Sequence, residues 1–323
     1  TNRQLTTLTL FSDLIQEVQK RVESDALLKG MDDDHIPFAE GGKGARAYSE
    51  AVCTYLAFAV DRLADFSTSV SRWAVTNEKA MNCFNKQSIP MTWDFPEVNI
   101  LGDSVGSFSQ ITSYIKDCIC TLPSSHAIGR AIQHNAQVDC GLRNIMVSTD
   151  PPYYDNINYA ECADFFYMWM RRSLKGIFPS MFSTMMTPKS EEFVATPYRF
   201  DGSIERARSF FEEGMLQTCK NIYEYCRDDI PVTIFYAYKQ SETEEDDNST
   251  ASTGWETMLS AIVNSGFSIT GTWPMRTEQA YRSVSMGANA LASSIVLVCR
   301  KRTKEAPVCT RRNFINELKR ELR

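Results

Sequence analysis

Apolar residues recur at helical spacing through the first 75 positions. Leu5, Leu8, Leu10, Phe11, Leu14, Ile15 and Val18 form one stripe, and Ala45, Tyr48, Val52, Tyr55, Leu56, Ala59, Val60 and Leu63 a second. Two amphipathic helices are predicted, separated by a polar loop over 31–44 that ends in Gly41-Gly42-Lys43-Gly44. A glycine cluster that opens a helix offers free N–H groups to a phosphate. No strand precedes this one, and its spacing fits neither the Walker loop nor G-x-G-x-x-G, so an anion cradle and a plain loop both stand as readings.

Residues 76–140 carry the weakest pattern. Trp93-Asp94-Phe95-Pro96 reads as a loop or short strand with a buried aromatic, and 111–120 as a short helix or strand. The pattern sharpens afterwards. An apolar run over 144–148 ends at Thr149-Asp150-Pro151-Pro152, whose prolines stop any further ladder. There follow a helix over about 159–177, a Thr/Pro/Lys-rich loop over 181–199 and a second helix over 203–226. A strand over 231–238, an acidic connection over 241–252 and a helix over 254–265 come next. Strands over 267–274 and 294–299, joined by a polar connection, close the region. The order strand–helix–helix–strand–helix–strand–strand predicts an α/β sheet closed by an antiparallel pair. The expected division is a mostly helical region 1–140, an α/β region 141–300 and a basic tail 301–323.

Composition narrows the classes. With 43% apolar and 23% charged positions in 323 residues, this is an ordinary globular chain. Its longest clean apolar run, 55–60, is far short of the roughly 20 residues a bilayer requires, so no membrane partner is expected. Thr1 stands where a Met would open a reading frame and no signal-like leader follows it, which leads us to expect an internal cut of a longer chain. Ten cysteines are scattered without a Cys-x-x-Cys pair, and His35, His126 and His134 lie in polar sequence. We read reduced, buried thiols of a cytoplasmic protein and no metal site. The net charge of −6 hides an asymmetry: nine Lys/Arg face three Glu from Arg300 onward, which leaves −12 for the rest. A basic tail of this kind can follow phosphates.

The chemistry concentrates in Asp150-Pro151-Pro152-Tyr153. Directly after an apolar strand, it has the form [Asn/Asp/Ser]-Pro-Pro-[Tyr/Phe/Trp] of S-adenosylmethionine-dependent methyltransferases that act on exocyclic amines. The amine of adenine or cytosine is a poor nucleophile because the ring withdraws its lone pair. Asp150 and the carbonyl of Pro151 can each take one amine hydrogen and favour a pyramidal nitrogen. The two prolines fix φ and supply no N–H, holding the carbonyls outward. Tyr153 can stack on the base, worth about 1–3 kcal/mol, and a base in a duplex must leave the stack to arrive. The competing reading is a turn whose prolines simply end the strand.

Around the motif, Tyr154, Asp155, Asn156 and Tyr159 extend a polar and aromatic surface at the carboxyl end of the strand. Phe165, Phe166, Tyr167, Trp169 and Met170 cover the next helix, which points to packing between helix and sheet. Lys189, Arg199, Arg171 and Arg172 are candidate phosphate contacts, and Arg276 and Glu278 lie on a connection near the expected base-binding edge. Tyr154, Asn156, Tyr159, Lys189, Arg199 and Arg276 are the substrate-contact candidates.

The match extends further. The run from Ser148 through Asp150-Pro151-Pro152-Tyr153-Tyr154-Asp155-Asn156 to Ile157, the blocks Asp164-Phe165-Phe166-Tyr167, Thr187-Pro188-Lys189, Ala195-Thr196-Pro197-Tyr198-Arg199 and Thr253-Gly254-Trp255-Glu256, and the stretch from Gly271 to Glu278 resemble the large adenine-specific DNA methylases of bacteria and archaea. So do 289–294, 44–48 and 93–95. These methylases carry an N-terminal domain of unknown function and often a zinc ribbon. The resemblance implies a Rossmann-like class I methyltransferase sheet, S-adenosylmethionine as donor, and adenine N6, ahead of cytosine N4, in DNA as acceptor. It makes Asp150, Pro151, Pro152 and Tyr153 the catalytic motif and the helical region a target-recognition part or insert. The family's Phe-x-Gly-x-Gly donor turn has no counterpart here. The chain therefore reads as a C-terminal portion with a partial sheet, its donor-binding residues unassigned and the upstream part of the same enzyme a partner. A non-catalytic module that holds a flipped base, and an enzyme acting on RNA or protein amides, are the alternatives.

Overall fold

The computed structural model describes residues 1–84, 91–122, 129–155, 157–237, 248–275 and 294–321. They fall into two compact units, Thr1–Arg130 with Asn158–Glu192, and Ala131–Ile157 with Phe193–Arg323. The division differs from the expected one, because 158–192 joins the N-terminal helices and leaves the α/β region discontinuous.

The first unit is helical. Helix α1 (Asn2–Leu28) opens with a capping box: Gln4 donates its backbone N–H to the Thr1 hydroxyl at 3.3 Å, and its side-chain oxygen accepts from the Thr1 amine at 2.8 Å. Helix α2 (Ala45–Phe66) and helix α3 (Phe108–Thr121, with Ser107 as cap) follow. The segment over 111–120 is thus a helix. Only one line of each predicted stripe is buried. Leu8 and Ile15 are in the core, while Leu5 and Leu10 are 59% and 54% exposed. Between α2 and α3 lies a short antiparallel hairpin, β1 (Arg72–Ala74) and β2 (Lys79–Met81). The aromatic expected to be buried nearby is not: Trp93 is 94% exposed, on a loop held where the Thr92 hydroxyl donates to the Ser69 carbonyl at 2.9 Å.

Helix α4 (Tyr159–Leu174) completes this unit. Trp169 packs with Leu8, Ala59, Leu63, Ala64 and Ile111, and Leu174 with Ile15, Cys53, Ala57 and Val60. Phe165 and Phe166 meet Phe84 with ring centroids at 5.4 and 5.2 Å. These aromatics therefore serve a helix–helix core and not the helix–sheet packing expected. An aromatic stripe specifies that it must be covered, not by which neighbour.

The glycine loop is filled by the chain itself. The Lys43 N–H donates to Asp34 Oδ2 at 2.8 Å, the Arg46 N–H to Asp33 Oδ1 at 3.3 Å and the Ala45 N–H to the Asp32 carbonyl at 3.0 Å. The bond from Lys43 is the main reason the Asp34 carboxyl lies below its ordinary range. Two carboxylates thus occupy the α2 N-terminus where a phosphate would sit, which corrects the anion-cradle reading. The glycines are required for this approach: a Cβ on Gly42 would stand 1.9 Å from the Ile36 carbonyl oxygen, and one on Gly44 2.5 Å from the Asp34 nitrogen. Gly42→Ala is expected to destabilise this unit by about 1–3 kcal/mol, measured as a lower urea midpoint.

The second unit is a mixed α/β layer. Strand β3 (Ser148–Thr149) runs parallel to β4 (Val232–Ala237), β6 (Ser294–Lys301) runs antiparallel to β4, and β5 (Phe267–Met275) antiparallel to β6, in the order β3-β4-β6-β5. The terminal antiparallel pair is as the sequence predicts. Although β3 has two residues, the Val147 carbonyl accepts from Thr233 at 3.1 Å and Ile145 bridges to Cys226, so the ladder starts earlier than the strand. Val232, Ile234 and Tyr236 alternate inward along β4. With Leu297 and Cys299 they pack on Phe211, Met215, Cys219 and Ile222 of helix α5 (Ile204–Tyr225) and on Met258, Ala261 and Ile262 of helix α6 (Asn248–Asn264). Helix α6 begins six residues before the predicted start. The basic tail forms a helix, α7 (Arg311–Glu321).

Five of the ten thiols are buried: Cys53, Cys83, Cys219, Cys226 and Cys299. Burial pushes Cys219 and Cys299 up to about 12, which keeps them protonated and unreactive at neutral pH. Among the described residues no helix is long and apolar enough to cross a membrane, and no three His, Cys, Asp or Glu converge as a metal site.

Candidate functional site

Thr149 is the last residue of β3, and the chain leaves the sheet there as Asp150-Pro151-Pro152-Tyr153-Tyr154. This is the carboxyl edge of the parallel pair β3–β4. At the same edge β4 ends at Ala237, which pairs with Ser294, and Ser294 pairs in turn with Met275. Open α/β sheets place ligands at such an edge because the connections diverge above it.

Asp150 is exposed, the two prolines and Tyr153 are half-buried, and Tyr154 is 8% exposed. The Tyr153 hydroxyl donates to Asp150 Oδ1 at 2.5 Å. Its ring stands edge-on to Tyr236, with centroids at 5.5 Å and planes at 85°. Tyr236 lies against Trp255 of α6 at 5.7 Å. Burial pushes the Tyr236 phenol up to about 12, so this wall is neutral.

Tyr154 differs from expectation. It has φ +55°, the left-handed region that a bulky side chain rarely occupies. Its carbonyl accepts from the Ala195 N–H at 3.0 Å, and its ring meets Phe211 edge-on at 5.1 Å. Tyr154 is thus an anchor whose backbone turn aims the motif out of the sheet, and its ring packs in the core of this unit. Gly254 completes the anchor. A Cβ there would lie 3.1 Å from Tyr154 Cβ and 3.3 Å from the Tyr236 hydroxyl oxygen, closer than an ordinary side chain sits.

The remaining candidates are dispersed. Tyr159 is an exposed first residue of α4 and belongs to the first unit. Lys189, in the same unit, donates to Asp164 Oδ2 at 2.6 Å, and the Thr187 hydroxyl and N–H donate to Asp164 Oδ1 at 2.6 and 2.8 Å. That cluster ties a loop to α4, so Lys189 is engaged in the fold. Arg172 pairs with Asp13 at 2.8 Å. Arg199 sits on a 3-10 turn of the second unit, its guanidinium 5.8 Å from the Tyr198 ring. Asn156, Arg276 and Glu278 lie outside the described residues.

The structure therefore unites Asp150, Pro151, Pro152, Tyr153 and Tyr154 and adds Tyr236, Gly254 and Trp255. The sequence offered two signals for the added three: the alternation of β4, which reads Tyr236 as core, and the block Thr253-Gly254-Trp255-Glu256. No family model matches the chain, and no curated protein or solved structure does.

A nucleoside-bearing methyl donor needs a glycine-rich turn that lets the backbone approach it closely. Among the described residues, no glycine-rich turn follows a strand, and the one glycine cluster is occupied by Asp33 and Asp34. These residues do not build a donor site.

Proposed function

We propose that the second unit is the acceptor side of a DNA amino-methyltransferase. It would hold the exocyclic amine of a flipped adenine, or less favourably cytosine, at Asp150-Pro151-Pro152-Tyr153. The observation that carries this reading is the joined pair Asp150–Tyr153 at the carboxyl edge of a parallel strand pair, with the Pro-Pro step between them. Asp150 supplies a carboxylate oxygen for one amine hydrogen and the Pro151 carbonyl an acceptor for the other. Drawing both hydrogens aside returns the lone pair to nitrogen, and holding the base fixed removes the cost of orienting it. Tyr153 offers an aromatic surface to the ring. The sheet order and its terminal antiparallel pair support the finer reading of a partial Rossmann-like class I methyltransferase sheet. S-adenosylmethionine would be the source of the electrophilic methyl group.

The test is methyl incorporation by the protein expressed from its complete reading frame, with labelled S-adenosylmethionine and DNA, RNA or peptide as competing acceptors. Label entering DNA, and adenine within it, is expected. Label confined to RNA or peptide would move the chemistry to another substrate.

A second reading has its own support. That no glycine-rich turn follows a strand among the described residues favours a module of the same fold that binds a base without reacting. Tight binding of single-stranded DNA together with no saturable binding of S-adenosylmethionine by the full-length protein would select it.

A further inference from the structure

The Tyr153 side chain has two separable parts, and the proposed function uses only the ring. The ring packs edge-on against Tyr236, which is 2% exposed and itself lies against Trp255. The hydroxyl at the end of that ring donates to Asp150 Oδ1 at 2.5 Å. Asp150 is exposed on a turn, where a carboxylate would otherwise sample several rotamers. A donor on a rigid ring limits that sampling, and a hydrogen bond to an ionised carboxylate is among the stronger kinds. It also makes the two oxygens unequal, since Oδ1 is committed to the phenol.

We infer that the Tyr153 hydroxyl is a positioning group that sets the rotamer of Asp150 and presents Oδ2 to the exocyclic amine of the base, separately from any stacking by the Tyr153 ring. The inference rests on the proposed function and assigns a division of labour within that site. The chain of support runs from the interior outward, through Trp255, Tyr236, the Tyr153 ring and its hydroxyl to Asp150. None of these groups except Asp150 and the Tyr153 ring would touch the base.

The experiment compares binding of two single-stranded oligonucleotides by the full-length protein, read by fluorescence anisotropy. One carries a single adenine among thymines, and the other carries unsubstituted purine at that position, which keeps the ring and lacks the amine. The wild-type protein is expected to favour adenine by about tenfold, the scale of one hydrogen bond to a charged acceptor. Tyr153→Phe should leave purine binding unchanged and reduce the adenine preference to about twofold or less. Tyr153→Ala should weaken both oligonucleotides, because the ring is lost as well. In an Asp150→Ala background, Tyr153→Phe should make no further difference, which a purely structural role for the hydroxyl would not produce. An undiminished adenine preference in Tyr153→Phe, or an equal loss for both oligonucleotides, overturns the inference while leaving the proposed function intact. A wild-type protein that binds both oligonucleotides equally overturns the proposed function itself.

Discussion

Asp150→Ala is expected to lower methyl incorporation into adenine by about 10²–10³-fold, the usual cost of removing one hydrogen-bonding group from a site of developing charge. The loss should fall on turnover more than on substrate affinity. The base would still stack, but its nitrogen would keep the lone pair in the ring. The same substitution should change the urea midpoint very little, since Asp150 is exposed and its substitution leaves no cavity. That pairing of a large kinetic effect with a small stability effect separates a group that touches the substrate from one that holds the turn. Asp150→Asn should fall between wild type and Ala, because an amide oxygen still accepts one hydrogen but carries no charge. Activity of Asp150→Ala within about threefold of wild type would show that Asp-Pro-Pro-Tyr is here only the end of a strand.

The order of elements in the second unit was legible because each signal is local. β-Branched and aromatic residues over 232–237 mark a strand, and Pro151-Pro152 marks where another stops. The motif was legible for the same reason. Long-range choices were not. Trp169 and Leu174 carry an apolar stripe that would suit a sheet or a helix pair, and only the folded chain shows that α1 and α2 cover it. Lys189 reads as a free cation until Asp164, 25 residues earlier, is found beside it. Tyr154 is the clearest case. Nothing in a Tyr-Tyr dipeptide announces a left-handed backbone, and the conformation is sustained by Ala195, Phe211 and Gly254, all remote in sequence. What sequence reasoning took for a substrate contact is the residue that aims the site. Trp93 errs in the opposite sense: an aromatic between polar neighbours reads as buried, but the loop that carries it is held by backbone and hydroxyl contacts and not by the ring.

One group of the first unit, Asp61, should add a pH dependence opposite in sign to that of the paired carboxylates. Three acidic residues of α2 lie wholly or partly buried, and two are satisfied. Glu50 accepts from the Phe38 N–H at 2.6 Å and from Arg46 at 3.1 Å, while Asp65 pairs with Arg62 at 2.7 Å and accepts from the Cys83 N–H at 3.1 Å. Asp61 is the exception. It is half-buried, its Oδ1 has no hydrogen-bond partner, and burial pushes its carboxyl up to about 8 from the ordinary 3.8. The raised value means that the folded chain holds the proton more tightly than the unfolded one. Below pH 4 both states are protonated and Asp61 costs nothing. Between about pH 4 and 8 the unfolded state gains from ionising while the folded state does not, so stability falls as pH rises, and above about 8 the penalty is constant. Discounted for partial exposure, its size is on the order of 2–3 kcal/mol. Asp61→Asn keeps the shape and cannot ionise, so it should exceed wild type by about that amount at pH 8 and match it within about 0.5 kcal/mol at pH 3.5. Urea unfolding of the two proteins at both pH values measures this, and comparing the proteins cancels every other titrating group. A difference independent of pH would mean that Asp61 reaches water and titrates as an ordinary carboxylate.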